Sequence, residues 1–394
     1  MNLLAIYNRQ YLYTPFTDEK TSQLNRFTRE SMFEIGKPIR VGLIGYGYAG
    51  KTFHAPLIRS VPGLELVLVG SSKLDAVQAD LPDVTVCSAR EEVATHDDVD
   101  LVVIASPNDS HFSLAVAALQ AGKHVVIDKP FTVTLAEARS LLDLAKRQGR
   151  LLSVFHNRRW ESEFLATKSI VEGGVLGEIS HYESHIDRYR PTVRQRWRED
   201  TGPGAGLWFD LGPHLIDSAL QLFGLPQSVN ASFAVQRKGG KTDDWAHVQL
   251  NYERLRAVLH VSLLVSGGWP RSVLHGTQGS WAKYGADVQE KQLVAGVAPV
   301  TSGFGYDPDP GILYNGTTGE RMTIPAPAAN QLGYYVGIRE AIWGRQPNPV
   351  PAEQALAVMT VLEASFEAGT RGQVVPLQFT DLERSARPAR HCSS

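Results

Sequence analysis

Residues 39–50 read Ile-Arg-Val-Gly-Leu-Ile-Gly-Tyr-Gly-Tyr-Ala-Gly, an apolar run that flows straight into a G-x-G-x-x-G turn. Val41, Leu43 and Ile44 suit a buried strand, and 51–60 suits a helix. A turn of this kind between strand and helix holds a dinucleotide pyrophosphate. Gly45 permits the tight bend, Gly47 lets the backbone approach the phosphates, and Gly50 lets the helix pack close to the strand. Tyr46, Tyr48 and Ala49 complete the loop. The helix N-terminus then faces the negative charge.

The pattern beyond the turn sets the fold class as α/β. Apolar runs recur at 39–45, 64–70, 101–105, 124–128 and 151–155, with amphipathic stretches at 111–121 and 134–148 between some of them. Such alternation predicts a parallel sheet covered on both faces, a doubly wound Rossmann domain over 39–157. The rhythm changes in 158–375. A helix at 161–173 stops at Gly173-Gly174, and strand-like runs follow at 178–188, 228–237, 244–252, 255–265 and 272–276. The turn Tyr252-Glu253-Arg254 implies antiparallel neighbours. One helix is expected near 210–223 and two more at 330–344 and 352–370. The Gly-, Pro- and Asp-rich 296–311 reads as a long loop, a kind of segment that often carries function. Residues 376–394 form a tail.

With 39 Lys and Arg against 41 Asp and Glu, the net charge of −2 offers no case for nucleic acid or a membrane surface. No apolar run reaches the length of about 18 residues that marks a membrane helix. Cys87 and Cys392 fit no metal or redox spacing, and no HExxH motif is present; a reducing compartment, the cytoplasm, is expected. Residues 1–38 lack the apolar core of a secretory signal. Met32 stands just before the first strand, so two readings remain: an extension upstream of a later start, or an arm that packs on another subunit.

Five constellations carry chemistry. After the run at 64–70 an acid would bind the ribose 2′-hydroxyl of NAD; this chain has Ser71-Ser72-Lys73 instead, which suits the 2′-phosphate of NADP. The run at 101–105 ends in Ser106-Pro107-Asn108-Asp109-Ser110-His111, which sets Ser106, Pro107 and Asn108 at the cofactor rim. His111 either joins them or caps the helix that starts there. The run at 124–128 ends in Asp128-Lys129-Pro130, where Lys129 can donate to a reacting oxygen. Asp210, His214 and Asp217 share one helix face, either solvated or built for proton transfer, while Leu211, Leu215, Ala219 and Leu222 face the core. Asn157, Arg158 and Arg159, with Arg188-Tyr189-Arg190 and Trp197-Arg198, supply the polar and aromatic groups a polyol needs; interdomain ion pairs are the other reading of Arg158 and Arg159.

In order, GYGYAG, SPNDSH, DKP and DLGPH resemble the Gfo/Idh/MocA oxidoreductases over roughly 39–375. The stretches LLSVFHNRRW, RYRP with QRWRE, and FDLGPHLID are similar to NADP-dependent scyllo-inositol dehydrogenases in particular. The resemblance implies a Rossmann domain followed by an α/β domain with a large, open, mostly antiparallel sheet. The final helices would pack back on the first domain, and copies would pair as homodimers or homotetramers. It implies NADP(H) in preference to NAD(H), and hydride exchange with a ring polyol or ketone such as scyllo-inositol and its inosose. A sugar dehydrogenase and a non-catalytic NADP-binding regulator are the alternatives. Lys129, Asp210 and His214 would be the catalytic group, with Asn157, Tyr189 and Trp197 on the substrate and Pro107, Asn108 and Asp128 along the nicotinamide and its ribose. The family pattern has glutamate at position 128; aspartate is one methylene shorter, so its reach to the ribose is reduced.

Overall fold

The first apolar run folds as strand β1 (Ile39–Ile44), inside a six-stranded parallel sheet of order β3-β2-β1-β4-β5-β6. The others are β2 (Leu64–Gly70), β3 (Thr85–Cys87), β4 (Leu101–Ile104), β5 (His124–Ile127) and β6 (Leu152–Val154). Val41, Leu43 and Ile44 are fully buried, as both covered faces require. The strand order reverses beside β1, which opens a crevice at the carboxyl ends of β1 and β4. The structure, a computed structural model, describes residues 36–386. The expected N-terminal extension up to residue 35 and the end of the tail, with Cys392, lie outside the described residues. Strand β3 has no counterpart among the expected runs: three partly exposed residues carry too little pattern.

The second sheet has nine strands in the order β14-β13-β12-β11-β7-β10-β9-β8-β15. These are β7 (Ile179–Asp187), β8 (Ser228–Ala234), β9 (Trp245–Asn251), β10 (Arg256–Ser262), β11 (Ser272–Gly276), β12 (Gly279–Lys283), β13 (Gly311–Asn315), β14 (Arg321–Ile324) and β15 (Val375–Pro376). Only β7 and β10 pair in parallel. Strands β12 to β15 have two to five residues each and escape the period-2 pattern. One face is apolar: Tyr182, Ala257, Leu259 and Val261 are buried in the same core as helices Leu207–Phe223 and Ala352–Arg371.

Helix Leu207–Phe223 begins three residues before the expected start. Its cap comes from a distant segment: the Trp208 N–H donates to Asp243 Oδ2 at 2.7 Å and the Leu207 N–H to the Asp243 carbonyl at 2.9 Å. Helix Leu332–Ile342 returns to the first sheet, where Tyr334, Tyr335 and Ile338 are fully buried. Tyr334 Oη donates to Ser153 Oγ at 2.9 Å and Arg339 Nη1 to the Pro62 carbonyl at 2.7 Å. The segment 295–310 carries no helix or strand. It is a structural loop: Asp307 and Asp309 hold the fully buried ammonium of Lys283 at 3.1 and 2.7 Å. Among the described residues no helix is long and apolar enough to cross a membrane.

Candidate active site

The crevice beside β1 is the rim of a cleft of about 500 Å³ between the two sheets. Gly45 takes φ +99°, and a Cβ there would strike the Ala105 carbonyl. A Cβ on Gly50 would collide with the Gly45 carbonyl oxygen, so helix and strand meet backbone to backbone. Gly47 has nothing within 4 Å of its Cβ direction and opens on the cleft. These are the three contrasting demands of a pyrophosphate cradle, and a dinucleotide fits them. Tyr46, Tyr48 and Ala49 also line the cleft. The Tyr48 hydroxyl donates to Glu290 Oε1 at 2.6 Å, joining the glycine loop to helix Gln289–Val294 of the second domain.

At the end of β2, Ser71, Ser72 and Lys73 line one corner. The Ser71 hydroxyl accepts from the Lys73 N–H at 3.1 Å, which fixes the turn. Arg90 joins them from the helix Arg90–Thr95. Sequence reasoning missed Arg90 because it lies behind β3, the strand too short to read. Neither Lys73 nor Arg90 has an ion-pair partner among the described residues.

Ser106, Pro107 and Asn108 line the cleft at the end of β4, and Asn108 Nδ2 donates to the Gly204 carbonyl at 3.1 Å. His111 does not line it. It lies buried behind the rim, with Nδ1 3.0 Å from the Pro130 carbonyl and Nε2 3.0 Å from the Ser106 carbonyl, and so braces two strand ends. Both ring nitrogens of His111 are thus engaged by backbone carbonyls. Tyr189 does not line the cleft either. Successive residues in extended chain point to opposite sides, so Arg188 and Arg190 enter the cleft while Tyr189 is 61% exposed outside it. Asn157 and Trp197 line the cleft, as do Arg194 and Arg196, which the sequence did not single out.

Lys129, Asp210 and His214 meet at the centre. Lys129 Nζ donates to Asp210 Oδ1 at 2.9 Å and to the Asp210 carbonyl at 2.8 Å. An ammonium has three N–H donors, so one remains for a ligand. Burial alone would raise the Asp210 carboxyl, but Lys129, Arg198 and Arg188 outweigh it and hold it far below the carboxylate range. Burial, then the cations Arg158 and Lys129, push His214 well below 6.5, so its imidazole is neutral. His214 Nδ1 is buried without a hydrogen-bond partner. Asp128 lines the same rim and accepts from the Lys129 N–H at 2.8 Å, its other oxygen 3.9 Å from His54 Nε2.

The helix face that carries Asp210 and His214 is not solvated. Asp217 is buried and paired twice with Arg159, at 2.8 Å to Nε and 2.6 Å to Nη2. The carboxylate stripe thus divides between the cleft and an ion pair that ties this helix to the turn after β6.

Acid should unfold this protein early. Burial is the first cause that lowers His111, His124, His156, His214 and His260, with His124, His156 and His260 at about 4. The unfolded chain binds protons at these sites below 6.5 and the folded chain does not, so their stabilisation is complete above 6.5 and lost as pH falls toward about 4. His156 alone contributes on the order of 3 kcal/mol. Glu161, raised by burial to about 7, and His185, raised by its two carboxylate neighbours against burial, act in the opposite sense but are fewer. Thermal melts at neutral pH and at pH about 4.5 should differ by many degrees; equal melting temperatures would contradict these buried neutral histidines.

The chain matches the Gfo/Idh/MocA oxidoreductase family, its NAD-binding Rossmann-fold model over residues 39–156 and its C-terminal α/β model over 168–377. The protein is therefore a member of the Gfo/Idh/MocA family, an NAD(P)-binding oxidoreductase. It is 51% identical to the uncharacterized oxidoreductase YdgJ of Escherichia coli over 84% of this chain and 96% of that one. It is 37% identical to the scyllo-inositol 2-dehydrogenase (NADP(+)) IolW of Bacillus subtilis, over 86% and 96%. The crystal structure of a Klebsiella pneumoniae protein superposes with a TM-score of 0.84 at 52% identity, covering 89% of this chain and 98% of that one.

Proposed function

We propose that this protein is an NADP(H)-dependent dehydrogenase of ring polyols, acting between scyllo-inositol and its inosose. The observation that carries the reading is the Lys129–Asp210 pair with neutral His214, open to the same cleft as the glycine loop. When bound, the nicotinamide takes a hydride from a carbinol carbon in oxidation and returns it in reduction. Lys129 holds the reacting oxygen through its free N–H and stabilises negative charge as the O–H proton leaves. His214 accepts that proton, which a neutral imidazole in a buried pocket can do. Asp210 fixes the position of the Lys129 ammonium. Asn157 and Trp197 bind the remaining hydroxyls and the C–H face of the ring, and Asp128 reaches toward the ribose.

The preference for NADP rests on Ser71, Ser72, Lys73 and Arg90, two hydroxyls and two cations without an ion-pair partner among the described residues, where an NAD enzyme has a carboxylate. The relative IolW, an NADP(+) scyllo-inositol 2-dehydrogenase, agrees with this reading. The test is nicotinamide absorbance over a panel of inositols, aldoses and ketones, with NAD and NADP side by side. Turnover should be highest with scyllo-inositol and NADP. An aldose preference would favour the sugar-dehydrogenase reading, and a preference for NAD would contradict the role given to the Ser-Ser-Lys corner. Tight NADPH binding with no turnover would point to a regulator.

A further inference from the structure

The face of the nine-stranded sheet opposite the core bears a histidine cluster that the cleft does not use. Side chains alternate along β7, so Tyr182, Ser184 and Ile186 are buried on the core side while His181, Glu183, His185 and Asp187 share the other. On β10, His260 stands opposite His185 in the parallel ladder. Cross-strand neighbours lie about 5 Å apart, and residues i and i+2 on one strand share a face, so the register brings two imidazoles and a carboxylate together. One ligand atom from each of His185, Asp187 and His260 falls within 4.8 Å of the others. None of the three lines the catalytic cleft.

We propose that His185, Asp187 and His260 form a binding site for a divalent transition metal, zinc in the first place, on the open face of this sheet. Two histidines and a carboxylate are a zinc donor set, and ligand atoms in a tetrahedral site lie about 3.4 Å apart. The present separations are close to this: Asp187 Oδ2 is 3.0 Å from His185 Nδ1, and Asp187 Oδ1 is 3.8 Å from His260 Nε2.

Three independent observations point to a cation site. First, Asp187 Oδ1 is buried with no hydrogen-bond partner among the described residues, on a side chain only 8% exposed. A buried carboxylate oxygen without a partner is costly, and a metal satisfies it. Second, His260 Nδ1 is buried without a hydrogen-bond partner among the described residues, and Nε2 faces Asp187 Oδ1 at 3.8 Å. Third, the next layer is in place. Glu183 Oε1 lies 2.9 Å from His185 Nε2, which orients that ring with Nδ1 toward Asp187, the carboxylate–histidine–metal arrangement. Trp245 and Trp269 flank the two histidines, with ring centroids at 5.4 and 6.0 Å, and limit solvent access.

His185 lies between two carboxylates, Glu183 at 2.9 Å and Asp187 at 3.0 Å, so two negative charges converge on this cluster. A dication bound there would balance both and tie in His260.

The experiment uses the tag-free, full-length protein stripped with chelator. Cobalt(II) is the first probe: intense visible bands of a four-coordinate site should appear at one equivalent per chain, quench tryptophan fluorescence, and disappear on adding zinc. Calorimetric titration with zinc should give the same stoichiometry. His260→Ala and Asp187→Asn should abolish the cobalt bands, and Glu183→Gln should weaken zinc binding about 10–100-fold. Turnover in the cleft should be unchanged in His260→Ala. Absence of cobalt bands in the native protein overturns the proposal without reference to any variant. So does zinc binding of equal strength in the native protein and in folded His260→Ala and Asp187→Asn.

Discussion

Replacing Lys129 with methionine should lower turnover about 10²- to 10⁴-fold and leave NADPH binding nearly intact. Methionine keeps the length and apolar stem but removes all three donors. The two bonds at 2.9 and 2.8 Å to Asp210 vanish, and so does the third donor that faces the substrate. Asp210 keeps Arg198 at 3.4 Å, so its carboxylate retains one partner and the fold survives. In the proposed reading the dinucleotide is held mainly by the glycine loop and the β2 corner, so the loss of one rim donor leaves most of its contacts. The expected signature is a fall in kcat with an unchanged NADPH dissociation constant by fluorescence titration. Native-like kcat in the variant would remove Lys129 from the chemistry.

Replacing Arg159 with alanine should destabilise the protein by about 3–5 kcal/mol. Arg159 and Asp217 are 9% and 5% exposed, and Arg159 also donates to Gln354 Oε1 at 2.6 Å. One guanidinium thus joins the turn after β6 to helix Leu207–Phe223 and helix Ala352–Arg371. Burial would raise the Asp217 carboxyl, and Arg159 is the chief cause that lowers it instead. Truncating Arg159 strands that charge. The double variant Arg159→Met with Asp217→Leu should recover most of the loss, because a well-packed apolar pair often matches a buried ion pair. Denaturant midpoints of the native protein and both variants measure this. A single variant within about 1 kcal/mol of native would show that the pair carries little.

Much of the first domain was legible in local pattern. The glycine loop, the strands around it and the Lys129-Pro130 rim are short-range features whose physics needs no distant partner. The spacing of Asp210 and His214 was enough to put both on one face. What it could not show was how that face divides, because Asp217 is claimed by Arg159, 58 residues away. The same limit applies at other positions. His111 reads as a rim residue until the Ser106 and Pro130 carbonyls are seen on either side of its ring. Tyr189 reads as an aromatic platform until the extended chain turns it away from Arg188 and Arg190. Arg90 follows a strand of three residues with no periodicity to detect. The His185–Asp187–His260 cluster depends on the register between β7 and β10, and sequence alone does not state which strands pair.

The most direct test of the central claim follows the hydride itself. The protein is incubated with NADP and scyllo-inositol deuterated at its ring carbons, and the recovered nicotinamide is examined by mass spectrometry and proton NMR. Deuterium should arrive at the nicotinamide C4, with one inosose formed per deuteride transferred, and the rate should collapse in Lys129→Met. Recovered cofactor without deuterium, from protein that binds NADPH tightly, would contradict the assignment of this cleft to polyol oxidation.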